Sequence, residues 1–99
     1  MAALGAIARY TDGMEADTFL EDDRTRAAVE RHFITVGECV KRLSPGFRVE
    51  HVDVDWRAVA GFRDILVHQF DAVLPDVVWE ITRRQAPGLR RRLDAILTA

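Results

Sequence analysis

The stretch VERHFITVGECVKRLSPG, residues 29–46, decides the architecture. Its large apolar side chains, Val29, Phe33, Val36, Val40 and Leu43, follow one another at steps of four, three, four and three, the period of an α-helix with one face in a core. Asp22 or Asp23 stands where the N-cap of that helix belongs, with a carboxylate that can accept from first-turn amides. Ser44-Pro45-Gly46 reads as the stop, because proline has no amide hydrogen and disfavours helical geometry in the residue before it.

Upstream, Leu4, Ile7 and Ala8 share a helical spacing, and Thr11-Asp12-Gly13 closes a short first helix. Residues 12–23 carry six acidic side chains and no basic one, an acidic connector with room for one helical turn. Downstream, residues 45–54 read as a loop: Phe47, Val49, Val52 and Val54 alternate only loosely, and no second segment offers a strand to pair with. Asp55 is placed to cap a helix whose face is Trp56, Val59, Phe62, Leu66 and Phe70, ending near Phe70. After a turn from Asp71 to Leu74, Pro75 opens a helix with Val78, Trp79 and Ile81. Pro87-Gly88 kinks it or separates it from a last segment carrying Leu89, Leu93, Ile96 and Leu97. The expected fold is all-α, an antiparallel bundle of four to five helices in a single domain over residues 1–99.

A chain of 99 residues buries a modest share of its surface, so a homodimer is expected on size alone. The balance of 14 Lys and Arg against 16 Asp and Glu excludes nucleic-acid binding through overall basicity and leaves only local patches. Cys39 is the single cysteine, so no internal disulfide or cysteine-based zinc cluster can form, and a reducing compartment, the cytoplasm, is expected. Met1 to Tyr10 lacks the basic lead-in of a signal peptide, and no apolar run is long enough for a membrane span, so no membrane association is expected.

Motifs of the phosphate-cradle, dinucleotide, serine-hydrolase and zincin classes are missing. His32 and His51 lack a second ligand at metal spacing, so neither a metal site nor a cofactor is expected. Cys39 reads as a small core hydrophobe. Glu38, in the middle of the best-patterned helix, needs solvent or an arginine from a neighbouring helix. Arg83, Arg84, Arg90, Arg91 and Arg92 make a basic end that could follow a nucleic-acid backbone, complement the acidic connector of the same or a partner chain, or simply favour the helix C-terminus.

Residues 63–70, RDILVHQF, group a guanidinium, a carboxylate and an imidazole within an apolar helix. Asp64 and His68, four apart, share a face on which the carboxylate could hydrogen-bond the ring and fix its tautomer. Arg63 and His68, five apart, diverge by about 140° around a straight helix, so the long guanidinium stem, a helix break near His68 or pairing across a two-fold axis is needed to aim both at one atom. An Asp-His-Arg surface network is the competing reading.

The chain resembles the HepT family of HEPN-domain toxins. The resemblance rests on Phe19-Leu20, Arg31, Val36-Gly37-Glu38, Lys41-Arg42-Leu43-Ser44-Pro45, Trp56, Gly61, Arg63, Leu66-Val67-His68, Val77-Val78-Trp79 and Pro87-Gly88-Leu89. It implies a homodimeric, metal-independent endoribonuclease toxin whose partner is a minimal nucleotidyltransferase antitoxin of the MntA type. It also implies Arg63 and His68 as catalytic residues at a two-fold cleft, supported by Asp64 and Glu38. Three departures stand out: Asp64 where the family usually has Asn, Phe70 where it has the tyrosine that accepts AMP, and a first helix that starts late. A silent helical module that only docks on the nucleotidyltransferase is the alternative.

Overall fold

The computed structural model describes residues 1–69 and 73–98. Their helices are α1 (Ala2–Thr11), α2 (Ala16–Glu21), α3 (Asp23–Lys41), α4 (Pro45–Glu50), α5 (Trp56–His68), α6 (Pro75–Arg84) and α7 (Ala86–Thr98). The long helix read first is the hub: α1 and α5 pack along α3, α2 and α6 touch it, and α7 closes against α1 and α6. Val29, Phe33, Val36 and Val40 are buried on α3, facing Leu4 and Ile7 of α1, Phe19 of α2, Leu66 of α5, Val78 of α6 and Leu93 of α7 within one apolar core. The Cα envelope measures 41 × 28 × 17 Å, about two helix layers thick.

Three helix starts are fixed by the side chain just ahead of them. Asp22 accepts from the Thr25 amide at 3.0 Å, Ser44 from the Phe47 amide at 3.1 Å and Asp55 from the Ala58 amide at 3.0 Å, each satisfying an amide with no intrahelical partner. Pro75 opens α6 at the position where a missing amide costs nothing. Gly13, just beyond α1, takes φ +73°, the left-handed conformation that glycine adopts without a Cβ clash.

Residues 45–54 are not a loop throughout, because α4 occupies Pro45–Glu50. The Ser-Pro-Gly signal acts twice: α3 ends at Lys41, and the same serine and proline then cap and begin the next helix. α2 and α4, six residues each, carry the helix count past the expected four or five. α6 and α7 are separated at Gln85, one residue before α7 begins, so Pro87 lies in the first turn of α7 rather than at a kink. α5 ends at His68, earlier than expected, and Ala8 faces solvent. Phe70, Asp71 and Ala72 lie outside the described residues. No described helix is long and apolar enough to cross a membrane.

Candidate active site

The site begins with a glycine. An ideal Cβ on Gly37 of α3 would lie 2.1 Å from Arg63 Cβ and 2.6 Å from its Cγ, so α3 and α5 meet at a spacing only glycine permits. The stem of Arg63 fills the place a side chain at 37 would take. Its head is thereby held beside two carboxylates: Nη2 lies 3.7 Å from Glu38 Oε1, and Nη1 donates to Asp64 Oδ1 at 3.0 Å. Nε is buried with no hydrogen-bond partner among the described residues. The arginine from a neighbouring helix that Glu38 called for is therefore Arg63.

Lys41, at the end of α3, donates from Nζ to the same Asp64 oxygen. This lysine, followed by Arg63, holds the Asp64 carboxyl below the usual carboxylate range. Lys41 was not singled out in the sequence as a charge partner. Its spacing three residues after Glu38 points to a partner on the same helix, whereas the partner formed, Asp64, lies on α5 and leaves no signal within one helix.

His68 is the last residue of α5 and is exposed. The expected Asp64–His68 hydrogen bond is not formed: Asp64 Oδ1 is taken by Lys41 and Arg63 instead. The longer reach of lysine and arginine brings full charges to the carboxylate, which outcompete a ring one turn away. Within one protomer, no hydrogen bond or ion pair joins Arg63 to His68 among the described residues. Position 70, where the family's tyrosine would stand, is outside the description.

The remaining candidates fall elsewhere. His32 Nε2 lies 3.4 Å from the Tyr10 hydroxyl, the two rings 5.4 Å apart at the surface. The His51 ring lies tilted against Phe47, centroids 4.7 Å apart, and the His51 carbonyl accepts from the Trp56 indole at 2.9 Å. No cluster of potential metal ligands occurs among the described residues. The arginine-rich end borders the acidic connector only at Asp12 and forms no ion pair with it among the described residues: Arg84 pairs with Glu80 at 2.6 Å, Arg90 lies 3.9 Å from Asp94, and Arg92 pairs with Asp53. An apolar cleft of about 450 Å³ opens between α3, α5 and the α6–α7 pair; Asp53 and Arg92 line it, whereas Arg63 and His68 do not.

These residues fall within a known family. The family described as ribonuclease HepT-like matches residues 2–96, and the chain belongs to it. A candidate RNase of Caldanaerobacter subterraneus subsp. tengcongensis is 33% identical over 86% of this chain and 76% of its own length. One from Methanocaldococcus jannaschii is 31% identical over 89% of this chain and 73% of its own. A protein of Thermococcus cleftensis named as a probable ribonuclease HepT is 29% identical over 95% of this chain and 86% of its own. No solved structure matches the chain.

Proposed function

We propose that the protein is the toxin of a HepT/MntA-type toxin–antitoxin system and a metal-independent RNA endonuclease whose reacting groups are Arg63 and His68. The observation that carries this reading is the seat of Arg63. A glycine is spent on α3 to admit its stem, and Glu38 and Asp64 orient its head, more construction than a surface arginine needs. In a chain of a ribonuclease family, a fixed guanidinium is a phosphate holder and a stabiliser of charge developing on it. The exposed imidazole of His68 removes the proton from a ribose 2′-hydroxyl or returns one to the leaving oxygen. Use of the 2′-hydroxyl makes RNA, not DNA, the substrate. On a single helix the two side chains diverge, so the site is completed by a second copy of the chain across a two-fold axis.

One observation favours the second reading, a silent module that only docks on a minimal nucleotidyltransferase. Both carboxylates beside Arg63 compete with a phosphate for it. One experiment separates the two. In EDTA, the purified parent is expected to cleave RNA, while Arg63→Ala and His68→Ala each lose cleavage and keep the parent's helical circular dichroism and melting temperature. If the parent is inactive under all conditions yet binds the nucleotidyltransferase, the docking reading holds. Control by AMP transfer onto residue 70 is closed to this chain, since Phe70 has no hydroxyl, and Tyr10 is its only tyrosine. Neutralisation is then by antitoxin binding alone, by modification elsewhere, or unnecessary because the protein is weakly active, and intact mass after incubation with ATP, magnesium and the nucleotidyltransferase should show no adduct on residue 70.

A further inference from the structure

Resting on the ribonuclease reading above, we propose that the groove between α1 and the α6–α7 pair is the surface that holds the RNA backbone, distinct from the site of Arg63 and His68. The need for such a surface follows from charge. At the candidate active site Arg63 and Lys41 face Glu38 and Asp64, so two cations are cancelled by two anions. The chain as a whole carries a net charge of -2. Affinity for a polyanion comes from cations that displace its counterions, and a neutral cluster on an acidic chain supplies little of it.

The groove supplies what the site lacks. It has a volume of about 460 Å³ and is lined by Arg83, Arg90 and Arg91 against Asp12 and Asp94. Leu4 and Ile7 lend it an apolar floor. Asp94 is engaged by the N-terminal ammonium at 2.7 Å and lies 3.9 Å from Arg90 Nε, so its single charge is shared between two cations. Arg91 makes no ion pair among the described residues. The Arg83 guanidinium lies 5.3 Å from the Trp79 ring centroid, a stacking that steadies the group and leaves its N–H edge available.

A second feature points to an anion. The Cβ position of buried Gly5, on α1, would lie 3.5 Å from Arg90 Nη2 and 3.6 Å from Arg9 Nη1, so two guanidiniums come over the same bare patch of helix. Asp94, 3.9 Å from Arg90 Nε, answers part of that charge, and a phosphate seated between the two guanidiniums answers the rest. A repeating phosphate backbone fits a row of such cations along one groove, and RNA is the polyanion that the proposed activity must hold.

The test uses full-length His68→Ala protein, so that RNA is bound and not cut, with and without Arg83→Gln, Arg90→Gln and Arg91→Gln together. Binding of a single-stranded oligoribonucleotide is measured over a range of salt. Loss of three phosphate contacts should weaken binding at least about tenfold at moderate salt and make the log–log salt slope shallower by about 2. Arg84→Gln, whose side chain pairs with Glu80 outside the groove, should change neither; an equal effect from it would mean that only net charge matters and would overturn the proposal. Arg91→Glu alone serves should the triple variant lose its helical circular dichroism, and it too should weaken binding. Unchanged affinity and slope in the folded variants overturns the groove, as does a parent that binds an acidic peptide through these arginines and ignores RNA. With His68 intact, the triple variant should cleave long RNA poorly and a dinucleotide as well as the parent does. A parent that cleaves nothing, yet binds RNA through these arginines, refutes the catalytic reading and leaves the groove standing.

Discussion

Gly37 and Gly61 both lie inside helices that pack on each other, α3 and α5, and the structure uses them in opposite ways. At Gly37 there is no room for even a methyl group, because the Arg63 stem is already there. At Gly61, two residues before Arg63, nothing lies within 4 Å of the Cβ position. The contrast extends along α5: its face toward α3 is locked at glycine distance, while Val59 and Phe62 border a cleft of about 450 Å³. Of the two glycines, the one with no room for a side chain is the one that seats a guanidinium.

The sharpest way to break this contrast is Gly37→Ala. Its Cβ would meet the Cβ and Cγ of a helical residue rather than the free end of a flexible chain, so α5 must shift. The expected cost is about 3 kcal/mol, at the upper end of overpacking effects, read as a lower denaturation midpoint together with lost RNA cleavage. A mild effect on both would mean that the close approach is incidental. Gly61→Ala and Gly88→Ala should do the reverse. Neither glycine has a positive φ, Gly88 meets only the tip of Arg91 at 3.7 Å, and alanine is the better helix former, so each should stabilise by about 0.5–1 kcal/mol. If Gly61→Ala raises the melting temperature but weakens self-association in sedimentation, the bare face of α5 is covered by a second copy.

Smaller effects are expected around Asp64. Replacing it with Asn removes a carboxylate that competes for Arg63 and should lower KM for RNA severalfold with little change in melting temperature; an unchanged KM would mean that Lys41 already absorbs its charge. Smallest is the pH response. Asp22, Asp53, Asp64 and Asp94 are held below the usual range by Thr25, by Arg92, by Lys41 with Arg63, and by the terminal ammonium respectively. A depressed carboxyl stabilises the fold above its unfolded pKa, and that contribution is lost as pH falls through the folded value. Stability should therefore hold from neutrality down to about pH 5 and decline below about pH 4. Glu30, raised by burial, gains on protonation and blunts the upper part of that decline. Chemical denaturation across pH is the measurement, and stability that rises steadily into acid would contradict it.

Much of this was legible in the chain. The 4-3-4 stripe from Val29 to Val40 is a direct print of burial on one helix face, with Leu43 falling beyond the helix end, and the caps Asp22 and Asp55 and the opening Pro75 act within their own turn, so local sequence is enough to place them. Arg63, His68 and Glu38 could be singled out because charged groups inside apolar helices ask for partners. What stayed hidden was non-local or ambiguous. Ser44-Pro45 ends and begins helices with equal ease, so the local pattern does not distinguish α4 from a loop. The choice of Lys41 and Arg63, not His68, as partners of Asp64 depends on how α3 and α5 are spaced, which no single helix encodes. Gly37 was visible as part of a motif, but its reason lies on another helix.

The three side-chain caps also bear on how the chain reaches this structure. Asp22, Ser44 and Asp55 mark the starts of three successive helices, and the first and last of these pack on each other across only the short α4 segment. The closure entropy of joining them is small, since the intervening loop is short and partly helical itself. The α3–α5 hairpin can thus assemble early from neighbouring pieces of chain, with α1, α6 and α7 condensing on it afterwards, and the guanidinium seat is formed in that first step.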